Sequence, residues 1–391
     1  MRVQIDRRAM AALSSGHLTT DFAGGALPAL LPFLKDRFGL TYTLVAVLVL
    51  ASQLSSSLIQ PLFGLWSDRR GALWLLPTGA AVAGLGIALA ADAPSYGLVV
   101  CCVLLSGIGV AAFHPEGSKF AAYASGRRRA SGMSVFSVGG NLGYALGPLA
   151  TTALVGAFGL RGGLLLALPG LAVAAALLAV RRYLATFAPT REQHVGRPGV
   201  DRPRAMVVLL SVIAFRSVAW FGLVTFVPLW EVSIGHSKSH GARLLALMLI
   251  CGGVGTLALG PLADRLGRKA VLLGSVAATG PLVLVYVLVG GIPGAVALAL
   301  IGACVVGTFG VSIIMGQEYL PRHIGLASGL TIGLALGLGG VAAVALGAVA
   351  DAVDLRTALL VCAAAPVAAA AIGAFLPATP GERVAPELAT S

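Results

Sequence analysis

The stretch GLWSDRRG, residues Gly64–Gly71, has a near copy in GPLADRLGRK, residues Gly260–Lys269. The two copies begin 196 residues apart, and each follows one long apolar stretch and precedes another. A Gly-x-x-x-Asp-Arg turn between two hydrophobic segments, present once in each half of the chain, predicts a duplicated membrane protein. Duplicated helical bundles of this kind usually carry a solute binding site between their two halves.

The overall composition also predicts a protein of the bilayer. Hydrophobic residues make up 58% of the chain and charged residues 11%, and the mean hydropathy is +0.93. A soluble domain carries about 25% charged residues. The five cysteines lie in apolar stretches without disulfide or zinc spacing, and no phosphate-binding loop of the form GxxxxGK[ST] occurs. We therefore expect no cofactor, no bound metal and no enzyme activity.

Apolar runs between charged, Pro or Gly residues predict twelve transmembrane helices, each long enough for the roughly 20 residues that a span needs. Their approximate ranges are 14–34, 43–66, 72–91, 96–118, 130–156, 161–180, 205–230, 242–263, 270–290, 294–317, 324–350 and 356–376. The long polar stretch 183–204 is interpreted as a cytoplasmic linker between an N-terminal half, 1–182, and a C-terminal half, 205–391. The expected fold is all-α and integral to the membrane, with two pseudo-symmetric six-helix halves.

The basic residues predict the orientation of these spans. With a cytoplasmic N-terminus, 20 of the 27 Lys and Arg residues fall in inside segments and six in outside loops, as the positive-inside rule requires. Both termini are therefore expected in the cytoplasm. The net charge of +12 lies in short clusters between spans, which argues against a nucleic-acid partner. The expected partners are lipid, protons and a small molecule, and the expected state is a monomer.

Ionisable side chains inside the predicted spans are the first candidates for function, because charge is costly in a bilayer. His17 and Asp21 are four residues apart and share a face of the first span. The segment FHPEG, residues 113–117, places His114 and Glu116 in the fourth span. We predict that these four residues carry a coupling proton, since carboxylates and imidazoles can titrate near neutral pH in such surroundings. An internally satisfied His17–Asp21 pair is the alternative.

Arg216 is the candidate for binding an anionic substrate. It lies near the middle of the seventh span, where its permanent charge needs an anion such as Asp21, Glu116 or a substrate. The repeat aligns Arg216 with Thr20, which predicts Arg216 and Asp21 at similar depth on opposite walls of a cavity. Further polar or aromatic candidates for substrate contact are Gln53, Asn141, Tyr144, Trp220 and Gln317. For Gln53 and Asn141, hydrogen bonding between helices is the alternative.

Glycines at four-residue spacing mark the fifth span, at Gly139, Gly143 and Gly147, and also the eleventh. Such a stripe lets two helix backbones approach closely, either as static packing or as a seam on which the halves rock. Pro148 would supply a bend beside it. The aspartates of the repeated turns can accept hydrogen bonds from a helix N-terminus or pair with nearby basic residues. We assign conformational gating to Gly147, Pro148, Asp68, Arg69, Asp264 and Arg265.

With twelve spans, two halves and an Asp-Arg turn in the 2–3 and 8–9 loops, the chain resembles the major facilitator superfamily. The first copy departs from the family pattern after Arg70, where the trailing Gly-Arg-Lys is missing. Three segments narrow the likeness: 16–32, with Gly-His, Asp and two Leu-Pro pairs; 112–117, AFHPEG; and 132–148, with GMSVF, GGNLG and Gly-Pro. Together they are similar to the fosmidomycin-resistance group of bacterial efflux transporters, and the resemblance implies a location in a bacterial plasma membrane.

This resemblance implies an antiporter that exports a small polar anion, such as a phosphonate antibiotic, by alternating access in exchange for protons. Proton-coupled uptake of an organic anion or a sugar acid by the same fold is the alternative. A membrane enzyme or sensor is a third, weaker interpretation, because the sequence lacks a metal cluster, a nucleophile elbow and an appended soluble domain.

Overall fold

The computed structural model describes residues 4–70, 72–126, 129–187 and 199–377, and every regular element among them is helical. Its contacts divide the chain into two compact units. Unit 1 consists of Met1–Glu192 with Val227–Ala246, and unit 2 of Gln193–Phe226 with Leu247–Ser391.

The helices follow the predicted spans in number and order. In the first half they are α1 (Arg7–Phe38), α2 (Tyr42–Arg70), α3 (Leu75–Asp92), α4 (Tyr96–Ala124), α5 (Arg129–Phe158) and α6 (Ala167–Ala185), with a 3₁₀ helix at Leu160–Leu166. In the second half they are α7 (Pro203–Ser233), α8 (Lys238–Leu266), α9 (Arg268–Leu288), α10 (Gly291–Gly307), α11 (Phe309–Tyr319), α12 (Ile324–Ala352) and α13 (Leu355–Gly373). The predicted all-α, twelve-span fold is confirmed. The sixth span begins as the 3₁₀ helix before α6, and Thr308 divides the tenth span into α10 and α11.

The helices have the length and surface of membrane spans. Nine helical segments of the described chain are long and apolar enough to cross a bilayer, and α12 adds a shorter apolar segment, Gly337–Ala352. Large apolar side chains such as Leu58, Phe158 and Val207 are exposed. Contact with lipid tails suits such a surface, whereas contact of so many large apolar side chains with water would be unfavourable. Helix α1 is not among the nine, and it carries the ionisable residues His17 and Asp21.

In unit 1, α1 packs most extensively against α5, and α4 packs against α2 and α3. Glycines allow the close approach of α1 and α5. A methyl group on Gly143 would lie 1.9 Å from the carbonyl oxygen of Leu18, and one on Gly25 would lie 2.1 Å from the carbonyl oxygen of Tyr144. The glycine stripe of α5 therefore allows tight packing against α1 within unit 1, and its predicted role in gating stays a prediction.

In unit 2, α9 packs against α10 and α13, while α12 packs against α11 and α13. A buried apolar core fills the space between α7, α9 and α11, and its members include Leu209, Val212, Leu272, Met315 and Tyr319. Gly267, with φ of 95°, forms the sharp turn between α8 and α9, a backbone conformation that favours glycine.

Candidate functional site

Three ionisable side chains of unit 1 meet around a single carboxylate. Asp21 Oδ2 lies 3.2 Å from Nε2 of His17, one helical turn earlier on α1. Asp21 Oδ1 lies 3.0 Å from Nε2 of His114, on α4. The side chains are 12%, 22% and 22% exposed for His17, Asp21 and His114, so the cluster is sheltered but reachable by water. The structure therefore brings together three of the four residues predicted to carry a proton.

The ring of His17 is held in one orientation by Phe136 of α5. The two rings stack with centroids 4.1 Å apart, and His17 Nδ1 lies 2.8 Å from the carbonyl oxygen of Phe136. A carbonyl oxygen can only accept, so Nδ1 carries the hydrogen. In neutral His17, Nε2 would then be an unprotonated acceptor facing an acceptor oxygen of Asp21. The contact is favourable only with a proton between them, on either the imidazole or the carboxyl group.

The space beside this cluster is closed by α5. A methyl group on Gly140 would lie 2.4 Å from Cε1 of His17 and 2.6 Å from Oδ2 of Asp21. Tyr144, one turn further along α5, packs its ring against Gly24, whose added methyl would lie 3.2 Å from Cε2 of the tyrosine. The lack of a side chain at Gly140 therefore lets α5 pack directly against His17 and Asp21.

Glu116 lies in a different environment from His114, although the two are neighbours in sequence. Residues two apart on a helix do not share a face. Glu116 is fully buried and its Oε2 accepts from Lys119 Nζ at 2.9 Å and from the hydroxyl of Ser67. Its Oε1 has no hydrogen-bond partner among the described residues. Glu116 therefore ties α4 to the cytoplasmic end predicted for α2, beside the first Asp-Arg turn.

Arg216 of α7 is buried in unit 2 among neutral partners. Its Nη1 donates to Ser312 Oγ at 2.9 Å, and to Oγ1 and the carbonyl oxygen of Thr308 at 3.2 and 3.3 Å. The guanidinium carbon lies 4.6 Å from the ring centroid of Phe309. Its Nε is buried and has no partner in the described part of the chain. No carboxylate of the described part of unit 2 pairs with Arg216.

The break between α10 and α11 provides these partners. Thr308 stands between Gly307 and Phe309, and its hydroxyl lies 3.0 Å from the carbonyl oxygen of Cys304 and 3.2 Å from Nη1 of Arg216. Backbone groups released by an interruption at membrane depth must find other partners. Here the carbonyl oxygen of Thr308 accepts from Arg216 and from the hydroxyl of Ser312.

The other predicted substrate contacts divide between the two units. Trp220 is buried one turn after Arg216 and meets Phe309 edge to face, with centroids 6.0 Å apart. Asn141 is partly buried next to Gly140, and Gln53 of α2 is partly buried, with its carbonyl oxygen accepting from Ser56. Gln317 is partly buried on α11. Arg216 and Asp21 belong to different units, so their predicted juxtaposition stays a prediction.

The second Asp-Arg turn is held by Arg268 rather than by Arg265. Arg268 lies 3.7 Å from Asp264 Oδ1 and pairs with Glu318 of α11, whereas Arg265 is exposed. Lys269 donates to the carbonyl oxygens of Ala374 and Leu376. The side chains of Asp68 and Arg69, predicted to gate in the first turn, lie outside the described residues.

The remaining gating candidates, Gly147 and Pro148, are buried in α5. A methyl group on Gly147 would lie 2.6 Å from the carbonyl oxygen of Phe22 and from the amide nitrogen of Ala26, both on α1. The glycine thus faces a helix of its own unit. The Pro148 carbonyl oxygen accepts from Thr152 at 3.0 Å.

In each half of the chain, a glutamate on the fourth span contacts a residue next to the Asp-Arg turn of that half. Glu116 of α4 bonds to Ser67, the residue before Asp68. Glu318 of α11 pairs with Arg268, four residues after Asp264. Sequence reasoning assigned Glu116 to the proton site, whereas its contact with Ser67 places it beside the first Asp-Arg turn, as the contact with Arg268 places Glu318 beside the second.

Several residues of the site had not been singled out by sequence reasoning, namely Phe136, Thr308, Phe309 and Ser312. Phe136 acts through its backbone carbonyl, which has no side-chain signature. Thr308 and Phe309 lie between Gly307 and Gly310, and this Gly-x-x-Gly spacing in an apolar span is the one signal that a helix break occurs there.

Comparisons with known proteins agree with this architecture. The family model described as Major Facilitator Superfamily matches residues 13–344. The chain is 33% identical over 365 residues to an "Uncharacterized MFS-type transporter YfnC" of Bacillus subtilis strain 168, covering 90% of this chain and 88% of the relative. It is 31% identical over 372 residues to the "Fosmidomycin resistance protein" of Escherichia coli strain K12, covering 92% and 90%.

Solved structures share the fold at low sequence identity. A bacterial homologue of the human lysosomal transporter Spinster, in an inward-facing and unoccupied conformation, superposes with a TM-score of 0.75 at 15% identity, covering 93% of this chain and 95% of that one. The transporter FucP in an outward conformation gives a TM-score of 0.65 at 17% identity, covering 95% and 100%. The chain belongs to the major facilitator superfamily, and it is a multi-pass membrane transporter.

Proposed function

We propose that this transporter exports a small organic anion of the phosphonate class in exchange for protons, by alternating access and as a monomer in a bacterial plasma membrane with both termini in the cytoplasm. The observation that carries the proposal is the hydrogen bond from His17 Nδ1 to Phe136, which leaves Nε2 facing Asp21. A contact that requires a proton is the feature a proton-coupled carrier needs.

The cluster offers two chemical states that differ by one proton. With the proton bound, His17 and Asp21 form a charge-assisted hydrogen bond, and His114 donates to the other carboxylate oxygen. Without the proton, Nε2 of His17 and Oδ2 of Asp21 repel each other and the side chains must separate or admit water. His17 and Asp21 both lie on α1, and Asp21 also accepts from His114 of α4, so a displacement of the Asp21 side chain on loss of the proton would alter the contact between α1 and α4.

Arg216 supplies the complementary site for the anion. Nη1 is occupied by Thr308 and Ser312, whereas the buried Nε has no partner in the described part of the chain. A guanidinium donates to phosphonate and carboxylate oxygens in a planar fork. The likeness to the fosmidomycin resistance protein of E. coli, which is 31% identical, supports a phosphonate as the first ligand to test.

Exchange of one monovalent anion for one incoming proton moves two charges in the direction that an inside-negative potential favours. Each charge that crosses a potential of about 100 mV contributes roughly 2.3 kcal/mol, so the two charges together contribute about 4.6 kcal/mol in each cycle. At about 1.4 kcal/mol per decade, this would sustain an outward substrate gradient of about three decades.

Transport into proteoliposomes tests the direction of coupling. Radiolabelled fosmidomycin is added outside vesicles with the membrane potential clamped to zero, and a pH gradient of either sign is imposed. Antiport predicts accumulation only when the lumen is acidic, since protons leaving the vesicle drive the anion inward. Accumulation only with an acidic exterior would establish the alternative, proton-coupled uptake by the same fold.

A metal ion bound by the same three side chains, instead of a proton, is an alternative that the same vesicles test. The three ligand atoms of His17, Asp21 and His114 lie within 4.8 Å of one another, a spacing that would also suit a metal ion. We expect pH-driven transport to be the same with and without EDTA on both sides of the membrane. Loss of transport in EDTA, restored by a divalent metal, would contradict the proton assignment.

A further inference from the structure

A second cluster of ionisable residues lies at the turn between α7 and α8 and shares no residue with the cluster around Asp21. Nδ1 of His236 is 2.5 Å from Oε2 of Glu231, and Nε2 of His240 is 3.5 Å from the same oxygen. The two imidazole rings are 4.6 Å apart between centroids. All of these residues belong to unit 1.

The turn is a rigid support for these three side chains. Glu231 is in the last turn of α7 and His240 in the first turn of α8. Gly235, with φ of 95°, closes the chain between them, and the His236 amide donates to the carbonyl oxygen of Glu231 at 2.9 Å. A methyl group on Gly241 would lie 3.3 Å from Cβ of Glu231. Glu231 and His240 are thus placed by two helix ends, and His236 by the short turn 234–237 between them.

The carboxylate of this cluster is buried, whereas its two imidazoles reach solvent. The Glu231 side chain is 4% exposed, whereas His236 and His240 are 50% and 40% exposed. A buried carboxylate needs a positive partner, and two imidazoles that reach solvent leave an entry path for an ion.

We propose that Glu231, His236 and His240 form a binding site for a divalent transition-metal ion of the Zn²⁺ class. The three ligand atoms lie within 4.8 Å of one another. Two imidazole nitrogens and one carboxylate oxygen form a ligand set used for Zn²⁺, with water in the fourth tetrahedral position. Alkaline-earth ions prefer oxygen ligands, so Mg²⁺ and Ca²⁺ are not expected to bind there.

Isothermal titration of Zn²⁺ into detergent-purified protein without a polyhistidine tag tests this site. We compare the unmodified chain with His236→Ala and His240→Ala, and use His323→Ala as the control because His323 is exposed and pairs with Asp201 in unit 2. Loss of the hydrogen-bond partner of a metal ligand typically weakens metal binding about 10- to 100-fold. Removal of a ligand itself, His236 or His240, should weaken Zn²⁺ binding at least as much. The control should bind as the unmodified chain does.

A His17→Gln/His114→Gln variant separates this site from the cluster around Asp21. We expect this double variant to bind Zn²⁺ as tightly as the unmodified chain does, whereas His236→Ala and His240→Ala each bind it more weakly. Co²⁺ bound to the double variant should show the visible absorption of tetrahedral coordination. Monodisperse elution of each variant verifies the fold. No Zn²⁺ binding by the unmodified chain, unchanged binding in both turn variants, or binding lost only in the double variant would overturn the proposal.

Discussion

Nδ1 of His17 donates a hydrogen bond of 2.8 Å to the backbone carbonyl oxygen of Phe136. The bond fixes which nitrogen of the ring carries the first hydrogen, and it directs the other nitrogen at Asp21. The sequence shows a histidine and an aspartate one turn apart, which is compatible with a plain internal pair. The backbone partner on α5 makes the pair dependent on a proton.

Gly140→Ala should remove pH-driven transport, because its methyl group would lie 2.4 Å from Cε1 of His17 and 2.6 Å from Oδ2 of Asp21. Gly156→Ala on the same helix is the matched control, since no atom lies within 4 Å of its added methyl. Both variants are measured in proteoliposomes with an acidic lumen. Equal transport by the two would show that the cluster tolerates displacement and does not carry the coupling proton.

Gly143→Ala should lower the thermal stability of the protein in detergent. Its methyl group would lie 1.9 Å from the carbonyl oxygen of Leu18, so α1 and α5 must move apart. Overpacking of this kind costs about 1–3 kcal/mol. The melting temperature should fall relative to that of Gly156→Ala. An unchanged melting temperature would mean that α1 and α5 are not held together by this glycine contact.

The sequence was sufficient for the fold because the signals that specify it are long and repeated. Twelve apolar runs depend on composition over many residues, and each corresponds to helical structure, although the tenth is divided into α10 and α11. The Asp-Arg turn is short, but it occurs once in each half. The break at Thr308 was missed, since apolar residues on both sides of it continue the hydropathy of a single span. Whether a glycine stripe packs within a unit or slides between units depends on which helix it faces, and periodicity alone does not contain this information.

Arg216→Gln should weaken the binding of an anionic phosphonate more than that of its neutral diester. A hydrogen bond to a charged group contributes about 1.5–3 kcal/mol, which corresponds to roughly ten- to a hundredfold in the dissociation constant. Arg243→Gln, at an exposed position of α8, is the control. Dissociation constants come from titration calorimetry. Equal weakening of both ligands would show that Arg216 only supports the break between α10 and α11.

Arg268→Gln should destabilise the protein more than the double variant Arg268→Gln/Glu318→Gln. The single change leaves the partly buried carboxylate of Glu318 without its cation, whereas the double change removes both charges. Residues in direct contact show coupling of about 0.5–3 kcal/mol. Melting temperatures in detergent measure the effect, with exposed Arg265→Gln as the control. Additive changes would exclude a coupled Arg268–Glu318 pair.

The candidate site was only partly accessible to sequence reasoning. His17 and Asp21 could be joined through helical spacing, and His114 could be named because an imidazole in an apolar span is rare. Glu116 was assigned to the same proton site because it is two residues from His114, yet helix geometry turns it toward Lys119 and Ser67. The Glu231, His236 and His240 cluster was missed because it combines a span end with a loop, and neither part is unusual alone.

The proton held between His17 and Asp21 is expected to move when substrate moves. Proteoliposomes containing the pH dye pyranine are loaded with fosmidomycin and diluted into substrate-free buffer of the same pH, at zero membrane potential. We predict that the unmodified protein acidifies the lumen as the anion leaves, and that Asp21→Asn does not, while Asp92→Asn, at a partly exposed carboxylate of α3, behaves as the unmodified chain. Acidification by Asp21→Asn at the unmodified rate would contradict the account.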